Sequence, residues 1–252
     1  MPEGPSIVLL KEELSVFKNK RVLSVTGNSK IELERILNKS IKDFKSWGKH
    51  FLICFKGFFL RIHMLMWGSY RVNEKKDAQP RLSLKFTNGE VNFYSCSIKL
   101  LEGDPDEVYD WSKDVMSDEW DPVKALSAIK KGDSRQVCDL LLDQQIFSGV
   151  GNIIKNEVLF RIGVQPGSMT KVLPAKKMKE LVKEARDYSF DFYGWKKIFE
   201  LRKHWLIYKR SICPRCGIKT QRTYMGLTDR LTYFCNNCQL LYAGTKKQKK
   251  KT

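Results

Sequence analysis

Apolar residues recur at Ile7, Leu10, Leu14 and Phe17, the 3-4-3 spacing of one helix face, and Pro5 suits the first position of that helix. Phe51, Ile53 and Phe55 then alternate, and Phe59 through Tyr70 forms a second run. Leu82, Leu84 and Phe86 alternate up to Asn88-Gly89, with Val91 and Phe93 beyond. Alternation marks half-buried strands, and Asn-Gly between two such runs is a strong hairpin signal because both residues tolerate positive φ. The first half of the chain therefore reads as an antiparallel β-sandwich with a flanking helix.

From Glu102 to Asp121 the pattern gives way to nine acidic residues against one basic residue, Lys113, with Gly103 and Pro105 among them. Such a stretch suits a domain junction on the face away from a polyanion. Beyond it the periodicity is helical. Asp121-Pro122 is an N-cap followed by a first-turn proline, and Gly132 closes that helix. Ser134 opens another helix through Gln145, with Val137, Leu140 and Leu141 inward. The tight loop Phe147-Ser148-Gly149-Val150-Gly151 leads into a helix from Asn152 to Ile162, stopped by Gly163. A longer helix follows Pro174, with Met178, Leu181, Val182 and Ala185 on one face. The expected fold class is α+β, divided into residues 1–121, 122–209, a small module at 210–242 and a disordered basic tail at 243–252. The stretch Gly244 to Thr252 holds five lysines and no apolar residue, and in a eukaryote it would also serve as an import signal.

Composition narrows the function. With 252 residues, 42% hydrophobic and 12% aromatic, the chain is neither disordered nor fibrous. A net charge of +18 favours a polyanionic partner, nucleic acid before membrane, through counterion release. The longest apolar stretch, Phe51 to Trp67, is interrupted by Lys56, Arg61 and His63 and cannot cross a bilayer. No signal peptide is visible in Met1-Pro2-Glu3-Gly4-Pro5, and the cysteine pattern is that of a reducing compartment. The expected location is intracellular, in the cytoplasm or nucleoid, or in the nucleus of a eukaryote.

Three features carry chemistry. Cys213-x2-Cys216-x18-Cys235-x2-Cys238 has the spacing of a tetrahedral structural zinc site, with no position left open for catalysis. Such a module presents basic side chains, here Arg215, Lys219, Arg222 and Arg230, although zinc modules also mediate protein contacts. Gly149-Val150-Gly151-Asn152 feeds a helix, as a phosphate cradle or as a turn that needs glycine for packing. Pro2 would become a terminal secondary amine on removal of Met1. An α-amino group ordinarily titrates at about 8, and burial and the helix dipole would lower that value. The amine could form an iminium with a sugar carbon, and Glu3 beside it could exchange protons with the ring oxygen or base.

Five motifs stand in the order seen in formamidopyrimidine-DNA glycosylase and endonuclease VIII, and the chain resembles that family over nearly its whole length. They are Pro2-Glu3-Gly4-Pro5, Gly48-Lys49, Arg61-Ile62-His63 with Gly68-Ser69-Tyr70-Arg71, Ser148-Gly149-Val150-Gly151-Asn152, and Arg230-x-Thr232-x-x-Cys235-x-x-Cys238-Gln239. The resemblance implies a catalytic N-terminal antiparallel β-sandwich with flanking helices. It also implies a C-terminal helical helix-two-turn-helix domain carrying a zinc finger that binds one structural Zn2+. It further implies a bifunctional DNA glycosylase and abasic-site lyase of base-excision repair, working by β,δ-elimination on damaged double-stranded DNA, as a monomer and without a membrane. The alternative is a noncatalytic nucleic-acid-binding protein on the same fold.

By the same resemblance Pro2 is the Schiff-base nucleophile, Glu3 the general acid/base and Lys49 the hairpin lysine beside the lesion phosphate. Asn152 and Arg230 contact backbone phosphates, the metal ligands are Cys213, Cys216, Cys235 and Cys238, and Leu65, Met66 and Trp67 are the wedge that fills the void of a flipped nucleotide. The hydrophobic pattern alone would put Leu65–Trp67 in the sandwich core. His63 reads as a structural hydrogen-bonding histidine, and Glu157 as a family acid with a catalytic or a capping role. Two departures stand out. Ser6 replaces a glutamate carried by many relatives, and Tyr94-Ser95-Cys96-Ser97-Ile98-Lys99 lacks the Asp-Pro-Arg motif of the formamidopyrimidine branch. The second departure points to the endonuclease VIII branch and oxidised pyrimidines.

Overall fold

The computed structural model describes residues 2–131 and 135–243. The expected helix stop at Gly132, the helix start at Ser134 and the lysine-rich stretch 244–252 lie outside these residues. The chain divides into two compact units, Met1–Ser117 and Asp118–Thr252, and the expected finger module falls within the second.

The first unit opens with α1 (Gly4–Leu14), entered from an extended Glu3 with Pro5 in the first turn. Its apolar face, Ile7, Leu10 and Leu14, is buried together with Phe17, whose ring stacks on Phe86 at 4.5 Å. Eight strands follow: β1 (Ser24–Thr26), β2 (Asp43–Trp47), β3 (His50–Cys54), β4 (Phe58–His63), β5 (Ser69–Val72), β6 (Leu82–Phe86), β7 (Gly89–Tyr94) and β8 (Ser97–Glu102). They form two antiparallel four-stranded sheets, ordered β1-β6-β7-β5 and β2-β3-β4-β8. Phe51, Ile53, Leu60 and Ile62 from one sheet share a core with Leu82, Leu84, Val91 and Phe93 from the other.

The other face of β3 and β4 is covered as well. Trp47, Leu52, Cys54 and Phe59 form a second small core with Tyr109 and Trp111. This double burial is why Phe51–Cys54 is apolar without a break. Most of the acidic stretch therefore forms an outer layer of the first unit, and the division between the two units falls inside it, after Ser117. The layer includes the short α2 (Pro105–Val108), and Glu102 and Asp106 pair with Arg35 and Lys45 at 2.6 and 2.7 Å.

Two strand expectations change in detail. The run Phe59–Tyr70 is not one strand: β4 ends at His63 and the chain crosses through a tip to β5 in the other sheet. The β6–β7 hairpin forms with Phe86 opposite Gly89, so Thr87-Asn88 makes the turn and Gly89 opens the strand at φ 146°. Glycine is needed there because the Asn73 carboxamide lies 2.2 Å from where a Cβ would stand, accepting the Glu90 N–H.

The second unit comprises α3 (Pro122–Lys131), α4 (Val137–Leu142), α5 (Asn152–Arg161), α6 (Ala175–Lys197) and the hairpin β9 (Gln221–Met225) with β10 (Arg230–Phe234). Asp121 caps α3 by accepting the Val123 and Lys124 N–H groups. The α4 helix stops at Leu142, short of the expected end at Gln145, because side chains take over the backbone bonding. Gln144 Nε2 donates to the Leu142 carbonyl, and Asp143 accepts the Gln145 N–H. Nearly every residue of α5 is buried, so it runs through the middle of the unit, and Gly163 at φ 69° ends it. Among the described residues no helix is long and apolar enough to cross a membrane.

Candidate nucleic-acid interface and metal centre

Proline in the first turn and an extended residue before it set the start of α1. This leaves Pro2 half-buried and Glu3 only 1% exposed, with the Glu3 carbonyl accepting the Ser6 N–H at 2.8 Å. The positive end of the helix dipole favours a carboxylate here and disfavours an ammonium.

Lys49 sits in the two-residue loop between β2 and β3. Gly48 takes φ 53° while Lys49 does not, the pattern of a II′ turn, in which glycine comes first. The register pairs Trp47 with His50 and His50 with His63. The Lys49 loop and the tip after β4 therefore emerge from the same end of one sheet. The two imidazoles meet edge to face at 5.5 Å. Burial, with Arg61, His63 and Lys49 nearby, pushes His50 down to about 4, and burial with Lys49 and Arg61 lowers His63. Both rings are thus neutral near pH 7 at a positively charged edge.

At that edge the chain does what the hydrophobic pattern did not anticipate. Met64 turns into the core, while Leu65, Met66 and Trp67 project to solvent, Trp67 with 83% of its surface exposed. The tip is shaped by backbone geometry. Leu65 adopts φ 52°, its N–H donates to His63 Nδ1 at 3.1 Å, and the Gly68 N–H closes on the Met64 carbonyl at 2.7 Å. A side chain at Gly68 would collide with that carbonyl. The segment that lacks the Asp-Pro-Arg motif reverses at Ser95, φ 50°, and pairs Ser97 with His63.

In the second unit, Gln144 also organises the glycine loop. Its amide donates to the Val150 carbonyl and its oxygen accepts the Gly149 N–H, with Gly149 at φ 98°. The first turns of α5 are stitched to β10. Asn152 Nδ2 donates to the Leu231 carbonyl at 2.9 Å, Lys155 Nζ to Thr232 Oγ1 at 2.7 Å, and Asn156 Oδ1 accepts the Tyr233 N–H at 2.7 Å. Asn152 is thereby bound to the residue that follows Arg230, so these two expected phosphate contacts lie together.

Hydrophobic periodicity marks none of several positioning groups, among them Glu157, which the resemblance offers as a catalytic or a capping acid. Buried Glu157 is a structural anchor: its carboxylate accepts the N–H groups of Leu206, Ile207 and Tyr208 and pairs with Arg161. Arg215, one of the basic side chains expected on the finger, is exposed but tied back to the fold, donating to the Phe160 and Arg161 carbonyls at the end of α5. Asp139 accepts the Leu227 N–H at 2.7 Å and fills the space beside Gly226, bracing the turn that leads to Arg230.

Cys213, Cys216, Cys235 and Cys238 converge with all four Sγ atoms within 4.8 Å of one another. Cys213–Cys238 and Cys216–Cys235 are 3.8 and 3.5 Å apart, too far for disulfides. A tetrahedron with metal–sulfur bonds of about 2.3 Å has sulfurs about 3.8 Å apart, so these residues can hold a metal ion. The first pair is turned by the Gly217 N–H to the Cys213 carbonyl. The second is turned by Gln239, whose oxygen accepts the Cys235 N–H while its amide donates to Val164.

Comparisons with known proteins agree with this layout. Residues 1–97 match the formamidopyrimidine-DNA glycosylase N-terminal domain, and residues 112–188 match the formamidopyrimidine-DNA glycosylase H2TH domain. Endonuclease 8-like 3 of Xenopus laevis is 32% identical over 231 residues, covering 86% of this chain and 38% of that protein. Endonuclease 8-like 2 of Bos taurus is 35% identical over 196 residues, covering 71% and 58%. The chain thus spans well under two thirds of these relatives. Among solved structures, a viral DNA glycosylase superposes with a TM-score of 0.82 at 23% identity, covering 94% of this chain and all of that one. A Lactococcus lactis Fpg, crystallised with DNA containing an oxidized pyrimidine, superposes with a TM-score of 0.83 at 20% identity, covering 94% and 99%. The fold is shared.

Proposed function

The chain belongs to the formamidopyrimidine-DNA glycosylase and endonuclease VIII family, and from this premise we propose that it excises oxidised bases, preferentially pyrimidines, and cleaves the resulting abasic site. The observation that carries this reading is the pairing of half-buried Pro2 with deeply buried Glu3 at the start of α1, since binding alone has no use for a nucleophile. With Met1 removed, the Pro2 nitrogen attacks the sugar C1′ as the bond to the base breaks. The proton lost by the Pro2 nitrogen passes through the Glu3 carboxylate to the ring oxygen, opening the sugar to the iminium, and the departing base takes its proton from solvent. The iminium then permits β-elimination and δ-elimination of the two phosphates, leaving a one-nucleotide gap with phosphate on both sides.

Lys49, Asn152 and Arg230 hold phosphates of duplex DNA, the chain acts as a monomer inside the cell, and the four cysteines bind zinc as a structural ion. Borohydride reduction in the presence of an abasic duplex tests the reaction. A covalent complex with the chain is the expected result, and DNA binding without any complex would leave a noncatalytic binding protein instead.

The exposed tip acts as the wedge. Its apolar side chains occupy the gap left by the flipped nucleotide and offset an unstacking cost of a few kcal/mol. Replacing Met66 and Trp67 together by alanine should slow excision of an intact oxidised base about 10- to 100-fold, while abasic DNA is still cleaved within about threefold of the original rate. Salt dependence of binding should not change, because no phosphate contact is lost. Equal losses on both substrates would refute the wedge role.

A further inference from the structure

Three bonds tie the segment Tyr109–Asp114 to the loop that carries Lys49, and they meet the chain on both sides of it. Trp47 Nε1 donates to the Asp110 carbonyl at 2.9 Å. The Gly48 N–H donates to Asp114 Oδ2 at 2.8 Å. The Tyr109 hydroxyl is hydrogen-bonded to His50 Nδ1 at 3.2 Å, and its ring lies 5.0 Å from that of Trp47. Asp114 is only 3% exposed, and its second oxygen accepts the Met116 N–H at 2.9 Å, which fixes the carboxylate in the plane that Gly48 requires. Packing explains Trp47 and Tyr109. It does not explain a buried carboxylate, whose lost solvation must be replaced by hydrogen bonds such as those from the Gly48 and Met116 N–H groups.

Gly48 is the most permissive residue of the loop, so without this bond the strand ladder would leave the orientation of Lys49 loosely set. We propose that Asp114 is a positioning residue that, with Tyr109 and the Asp110 carbonyl, clamps the β2–β3 hairpin and sets the Lys49 ammonium for the phosphate beside the lesion. The inference rests on the reaction proposed above. It gives the acidic stretch a task that its charge alone did not suggest.

Single-turnover cleavage of an abasic duplex, with the whole chain in saturating excess, tests the clamp. Asp114→Ala should lower the rate constant about tenfold with little change in DNA affinity, and Asp114→Asn, which keeps an acceptor oxygen for Gly48, should restore it to within about threefold. Tyr109→Phe keeps the ring in its core and removes the hydroxyl that meets His50, so a loss of about threefold is expected even if Asp114→Ala does not fold. In a Lys49→Ala background both losses should vanish, because Asp114 and Tyr109 act through Lys49. Original rates in folded Asp114→Ala and in Tyr109→Phe, or equal losses with and without Lys49, would overturn the clamp. If the unmodified chain forms no borohydride-trapped complex, it is the reaction that fails, and the clamp with it.

Discussion

A chain that retains one additional residue before Pro2 should lose borohydride trapping and abasic-site cleavage by at least about a thousandfold. The reason is electronic. As a terminal secondary amine, proline has a lone pair available near neutral pH, because an α-amino group ordinarily titrates at about 8. Once acylated, the same nitrogen is part of a resonance-stabilised amide and can neither attack C1′ nor form an iminium. The extension should leave phosphate binding intact, because Lys49, Asn152 and Arg230 are untouched, so gel-shift affinity and its salt slope should stay as they were. Pro2→Gly gives the complementary control: it presents a primary amine, so trapping should persist at a reduced rate. Full trapping by the extended chain would refute Pro2 as the nucleophile.

Cys213→Ser should release the bound metal and unfold the finger, the larger of the two expected effects in free energy. Structural zinc contributes roughly 10–16 kcal/mol of apparent binding energy in finger peptides, and that energy is folding energy for a segment with little core of its own. Here the consequences should travel along β10. Leu231, Thr232 and Tyr233 hold Asn152, Lys155 and Asn156, so loss of the finger also frees the start of α5. Elemental analysis should show one zinc per native chain and none in the variant, with DNA affinity reduced about tenfold or more through the loss of two phosphate contacts. The first unit, with its own core, should retain its thermal transition. Stoichiometric metal and undiminished affinity in the variant would refute the four-ligand assignment.

Both predictions depend on features of different legibility. The helix face Ile7–Leu10–Leu14, the alternating strands and the spacing of the four cysteines could be read directly, because each follows a period or a spacing set by local covalent geometry. The same holds for Asp121 as an N-cap and for Gly163 at a helix end, where one residue type meets a local backbone need. The motif order also pointed to the family and its branch.

What local periodicity could not reveal was the destination of each side chain. Leu65, Met66 and Trp67 have the composition of core, yet a positive φ at Leu65 and the close approach at Gly68 turn them into solvent. The Asn88-Gly89 turn moved by one residue because Asn73, at the end of β5 and across β7 from β6, occupies the space that a Cβ would fill. Asp114 is one of nine acidic residues in its stretch and Glu157 is marked only by the resemblance, and the task of each became visible only where folding set backbone N–H groups of distant segments against it. Hydrogen bonds between residues fifty or sixty positions apart leave no periodic trace, and a buried carboxylate takes its meaning from the donors the fold brings to it.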